Sequence, residues 1–161
     1  MITNERQYRI TAAEVERFER ALERTPDEQA GRSNVHPRLL QAEREGLESQ
    51  LADLRRELGE YEALKRGAVS SITVDSFDDL GLGLIKARIA AGLSQKALAT
   101  RLGVKEQQIQ RYEAERYVSA SYRRLQEIVR ALGVSITKEI RLVDSRGAQA
   151  VSTNAPLLKK A

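Results

Sequence analysis

The chain of 161 residues contains no cysteine. That absence excludes a disulfide framework, a thiolate zinc site, an iron–sulfur cluster and a cysteine nucleophile, and leaves cytosol as the least constrained compartment. Histidine is nearly absent too: His36 is the only one, in a polar stretch before Pro37, where it reads as a solvated loop residue. Serine-triad or His-based metal chemistry would have to assemble around that one imidazole. The sequence offers no phosphate-binding glycine loop, metal-ligand cluster or nucleophile–base pair, so no enzymatic activity, cofactor or metal is expected. A strand end and a helix cap account for Asp75, Asp78 and Asp79 better than a cation site does. No stretch approaches the roughly 18 apolar residues of a membrane span. The N-terminal MITNERQYRITAAEVERFER also lacks the apolar core of a signal peptide. A soluble cytoplasmic protein with no membrane partner is the expectation.

At about 100–200 residues per domain, the length allows one ordinary domain or two small ones and excludes a large multidomain enzyme. The charge is divided unevenly. Residues 1–79 carry 12 Lys/Arg against 17 Asp/Glu, a net −5, and residues 80–161 carry 15 against 6, a net +9. A basic half joined to an acidic half points to a polyanion-binding module attached to something with another task.

In the acidic half, Thr11 and Glu14 have the form of a capping box, and Val15, Phe18 and Leu22 follow at helical spacing. This predicts a helix from Thr11 to about Arg24, followed by loop-like TPDEQAGRSNVHP and a new helix opening at Pro37. Leu40, Leu47, Leu51, Leu54, Leu58 and Tyr61 then form a heptad seam about three repeats long, with an arginine at position 44. Gly46 and Gly59 each weaken that helix by about 1 kcal/mol relative to alanine, so it needs a partner. The partner is either residues 11–24 folding back as a hairpin or the same helix of a second subunit as a short coiled coil.

Residues 67–83 read as a linker containing a short strand, Ser71 to Val74. After Val134, the alternation of Ile136, Ile140 and Leu142 predicts a second strand, pairing with the first or with another subunit. The final AVSTNAPLLKKA is expected to be frayed. The expected organisation is therefore an N-terminal helical hairpin over 1–67, a linker over 68–80, a helical domain over 81–135 and a C-terminal strand and tail over 136–161.

Within 84–133, four short amphipathic segments are separated by punctuation. Ser94 is a good N-cap, QKALATRL runs one helix to Gly103, and a second helix begins within two residues. Leu98 and Leu102 face inward, Ala99 is small where two helices cross, and Ile109 and Tyr112 place the second helix on the same core. A short turn at glycine forces the steep crossing of a helix-turn-helix. With Ile109 and Tyr112 inward, Gln107, Gln110, Arg111 and Ala114 turn outward. Gln can pair bidentately with adenine and Arg with guanine, so this face suits base edges in a major groove.

The stretch LIKARIAAGLSQKALATRLGVKEQQIQRYEAERYVSASYRRLQEIVRALGV resembles the lambda-repressor-like domain of phage repressors and xenobiotic-response-element type regulators. The likeness covers about 50 of the 161 residues. Leu98, Ala99, Gly103, Val104, Ile109 and Tyr112 stand at the family's spacing, with Leu93-Ser94-Gln95, Arg88 and Ala131-Leu132-Gly133-Val134 matching around them. The resemblance implies a mainly α fold, here flanked by short β-strands, and a DNA-binding transcription regulator that is often a dimeric repressor. It implies base and backbone contacts from Gln107, Gln108, Gln110 and Arg111. Phosphate contacts are expected from Gln95, Lys96, Lys105, Arg116 and the loop holding Ser119 and Ser121, with Arg123 as a further candidate. The family also pairs an arginine of its first helix with a glutamate ending the recognition helix, here Arg88 and Glu113. Two positions depart from the pattern: Lys105 replaces the usual Ser or Thr cap, and Glu106 stands in the first turn, where it suits the dipole but would repel phosphate. The expected partners are an operator duplex and a second copy of the chain. The alternative reading is an antitoxin whose acidic half covers a basic toxin and which represses its own operon.

Overall fold

The structure is a computed structural model that describes residues 1–23, 36–137 and 139. Among them are six helices: α1 (Glu5–Glu23), α2 (Pro37–Lys65), α3 (Leu80–Ala90), α4 (Gln95–Leu102), α5 (Glu106–Ala114) and α6 (Tyr122–Leu132).

α1 begins six residues earlier than the Thr11 signal predicts. Asn4 Oδ1 accepts from Gln7 N at 2.9 Å, and Gln7 Oε1 accepts in return from Thr3 N at 2.8 Å. This reciprocal Asn-x-x-Gln arrangement satisfies the first free N–H groups, while Thr11 sits half-buried inside the helix. At α2, His36 is more than a loop residue: it is the N-cap, its exposed ring accepting from Arg38 N at 3.2 Å, with Pro37 following at the first helical position.

α1 runs antiparallel along α2, as pairs in opposite order show: Lys65 Nζ meets Glu5 at 2.6 Å, Tyr8 donates to Glu62 at 2.7 Å and Arg55 meets Glu19 at 2.6 Å. The Tyr8 and Tyr61 rings stack with centroids 5.3 Å apart. Leu51 and Tyr61 of the seam are buried, as is Leu64 just beyond it, so α1 supplies the partner that the glycine-weakened helix requires. The hairpin does not stand apart from the rest of the chain. Ile2, Tyr61 and Leu64 belong to the same buried cluster as Leu84, Ile85, Leu98, Ile109 and Ile128.

The flanking strands are a correction to the expected fold class. Among the described residues no strand forms: residues 71–74 and 134–137 run as irregular backbone. Val69, Ile72, Val74 and Ile136 instead line one groove of about 510 Å³ above Leu84 and Ala87. A strand requires a neighbour about 4.8 Å away to complete its ladder; here Val69, Ile72 and Val74 are half-buried on a helical surface instead, while Ile136 stays exposed at the groove's edge. Ile140, Leu142, the tail and most of the loop between α1 and α2 lie outside the described residues. Asp79 is explained by a turn: its Oδ2 accepts from Ser76 Oγ at 2.5 Å and its N–H donates to Ser76 Oγ at 3.2 Å, just ahead of α3. Among the described residues no His/Cys/Asp/Glu group could hold a metal, and no helix is long and apolar enough to cross a membrane.

Candidate nucleic-acid interface

Ser94 caps α4 by accepting from Ala97 N at 3.0 Å. Gly103 closes the helix with φ +66, its N–H reaching Ala99 O and Thr100 O. A side chain at that left-handed residue would be strained, so glycine sets the turn that delivers the chain into α5 two residues later. Lys105 is the N-cap of α5 and provides no side-chain cap, leaving Glu106 to complement the helix dipole.

Leu98 and Ile109 are fully buried where α4 and α5 cross, and Ile128 of α6 and Leu84 of α3 close the same core. This fixes the rotation of α5. Ile109, Tyr112 and Glu113 point inward, and Gln107, Gln110, Arg111 and Ala114 are exposed. The Arg111 guanidinium stands 5.9 Å from the Tyr112 ring centroid, a contact that steadies its stem while its donors face solvent. Gln110 Nε2 reaches Glu106 Oε1 at 3.3 Å. Gln108 is half-buried and donates to Tyr112 Oη at 2.8 Å, so it is the least free of the three glutamines.

Beneath this face lies an ionic network. Arg88, 2% exposed, donates to Glu113, 4% exposed, through Nε at 2.5 Å and Nη2 at 2.8 Å. Its Nη1 donates to Leu93 O and its Nη2 also reaches Thr3 O, both at 2.6 Å. Gln95 Nε2 donates to Glu113 Oε2 at 2.8 Å, and Tyr117 Oη to Glu113 Oε1 at 3.5 Å. Every buried side-chain polar atom among the described residues has a partner, as charges out of water require. Burial pushes the Tyr117 phenol well above its ordinary value, the Glu113 carboxylate adds to the shift, and Arg88 opposes it. The pair expected from the resemblance therefore forms, and it carries more than two side chains. Gln95 is anchored by the carboxylate that ends the recognition helix, and the other hydrogen of its amide remains available to a ligand.

The loop after α5 is held in an unusual shape. Arg116 and Tyr117 have φ of +49 and +63, a conformation that costs non-glycine residues energy. Tyr117 N compensates by donating to Tyr112 O at 2.6 Å, while its ring is buried and stacks on Tyr112. Gly81 makes the close approach possible, because a Cβ there would run into the Arg116 carbonyl. Nothing local in the sequence marks Gly81, since its constraint comes from a loop 35 positions away.

The remaining candidates frame the face. Lys96, Lys105, Arg116 and Ser119 are exposed. Ser121 caps α6, its Oγ accepting from Arg124 N at 3.2 Å and retaining its own hydrogen as a donor. Arg123 lies 3.4 Å from Glu127 and is partly neutralised. The structure adds residues that nothing in the sequence connects to this face: Asn4, Glu5, Arg6 and Gln7 line a cleft of about 800 Å³ together with Gln95, Glu106, Gln110 and Arg116.

Residues 84–138 match the family model described as Helix-turn-helix, about a third of the chain. The segment is a helix-turn-helix domain of the lambda-repressor-like, xenobiotic-response-element type. The protein that carries it is a DNA-binding transcription regulator; the family is regulatory and not enzymatic. Comparison with curated proteins and with solved structures returns no match.

Proposed function

We propose that the protein is a cytoplasmic repressor that binds operator DNA as a two-fold dimer, with α5 in the major groove. The observation that carries this reading is the orientation of α5, whose exposed side holds Gln107, Gln110 and Arg111 opposite buried Ile109, Tyr112 and Glu113. Donors and acceptors in that pattern suit adenine and guanine edges. Gln108 contributes from the border of this face. Gln95, Lys96, Lys105, Arg116, Ser119 and Ser121 hold the flanking phosphates and set register without reading sequence. One monomer reaches only a few base pairs, so affinity requires two copies on a palindrome, with recognition helices about 34 Å apart.

Enrichment of duplexes from a random pool by the full chain, followed by footprinting, tests this directly. The expected product is an inverted repeat with half-sites one helical turn apart or a multiple of it. Recovery of no preferred sequence would overturn the base-reading role of α5.

An antitoxin role is the second reading, supported by the net −5 of residues 1–79 beside the net +9 of the remainder. It predicts a small basic protein encoded beside this one and a stable complex of the two. Coexpression without complex formation removes it and leaves the repressor reading intact.

A further inference from the structure

We propose that Arg6, at the start of the N-terminal hairpin, is a DNA phosphate contact, so that the DNA-binding surface extends beyond the helix-turn-helix domain. The inference rests on the reading that α5 faces duplex DNA. Arg6 is exposed and lines the same cleft as Gln95, Gln110 and Arg116, with α1 on one side and the starts of α4 and α5 on another. A duplex seated on the outer face of α5 brings its sugar–phosphate edge over this cleft. Arg6 and Arg116 are the exposed arginines lining it, and neither has a carboxylate partner among the described residues. The other exposed cation there, Lys65, is already paired with Glu5 at 2.6 Å.

Arg6 is also held in place by backbone contacts and burial rather than by its own side chain. Ile2 is 3% exposed in the shared core, Thr3 O accepts from Arg88 Nη2 at 2.6 Å, and Asn4 caps the turn in which Arg6 stands. The arginine that grips the end of the recognition helix thus also pins the segment carrying Arg6. A guanidinium on a fixed backbone, exposed and uncommitted, suits a phosphate oxygen. Glu106 on the opposite wall repels phosphate, and Arg6 and Arg116 offset that repulsion.

The test is a salt titration of the full-length chain carrying Arg6→Ala, on a mixed-sequence duplex and on the duplex that the wild-type chain enriches from it. One phosphate contact corresponds to about 0.9 in the slope of log K against log salt. The expected result is a slope lower in magnitude by about that amount on both duplexes. Arg6→Lys should restore the slope, and Arg17→Ala, further along α1, should leave it at the wild-type value. An unchanged slope in Arg6→Ala overturns the inference while the function stands. Failure of the wild-type chain to bind either duplex overturns the function and the inference together. Thermal melting of the exposed Arg6 variant checks that it folds as the wild-type chain does.

Discussion

Arg88 and Glu113, 25 residues apart in sequence, meet in a two-pronged ion pair between α3 and the last turn of α5, at 2.5 and 2.8 Å. Both are almost fully buried. Such a pair adds little net stability over apolar replacements, but removing one partner strands the other charge. Glu113→Ala should therefore cost about 3–5 kcal/mol in folding stability. It should also weaken operator binding, because Gln95 and Tyr117 lose their common acceptor. A double-mutant cycle with Arg88→Ala measures the coupling by chemical denaturation. A coupling of zero would mean that the pair does not orient α5.

The Tyr117 phenol makes a second prediction, in alkaline solution. Burial first, and the neighbouring Glu113 carboxylate second, raise its pKa above the ordinary 10.0. A group whose folded pKa lies above its unfolded value contributes stability that is complete below the unfolded pKa and is lost as pH rises. Stability of the wild-type chain should thus fall above about pH 10 more steeply than that of Tyr117→Phe. Denaturation midpoints across pH 8 to 11 compare the two. Parallel curves would place the phenol in contact with solvent.

Leu64 of α2 is 5% exposed and packs in the core that also holds Ile85 and Ile89. Leu64→Ala should cost about 2–5 kcal/mol, and it should lower the stability of the DNA-binding helices along with the hairpin. Hydrogen exchange reports this as lost protection in α4 and α5. Loss confined to α1 and α2 would show that 1–67 is an independent unit.

Lys105 gives a prediction in which stability and binding move in opposite directions. It occupies the N-cap of α5 without capping it. Lys105→Ser should raise stability by about 1 kcal/mol by supplying the missing acceptor. The same change should lower the salt slope of DNA binding by about one, equally on all sequences, because a phosphate contact is lost. A loss confined to one sequence would make Lys105 a base reader.

The helix-turn-helix was legible because its signals are local or strictly spaced. The Ser94 cap, the Gly103 turn and the inward Leu98, Ile109 and Tyr112 each depend on neighbours within a few residues. The features that escaped depend on tertiary partners. Ser71–Val74 has strand composition, yet its apolar side chains are taken up by α3, and composition alone does not reveal which surface a segment meets. At the start of α1, Thr11–Glu14 and Asn4–Gln7 both have capping form, and burial of Ile2 and the bond from Arg88 to Thr3 favour the earlier one. The sequence marks Gln95 and Gln108 as DNA contacts but gives no sign that Glu113 and the Tyr112 hydroxyl hold one donor of each. Arg6 carries no signal in the sequence at all, since its place beside Gln110 arises from the docking of the hairpin.

The central claim is that α5 reads bases, and Arg111 tests it most directly. Its guanidinium is exposed, steadied by Tyr112, and free to pair with a guanine. Binding of Arg111→Ala should be measured on the enriched operator and on random duplex at one fixed salt concentration. The account predicts a loss of about 1–3 kcal/mol on the operator, with relaxed preference at one base position and a much smaller loss on random DNA. Equal losses on both duplexes would contradict it, making Arg111 a phosphate contact and leaving the outer face of α5 without its reader.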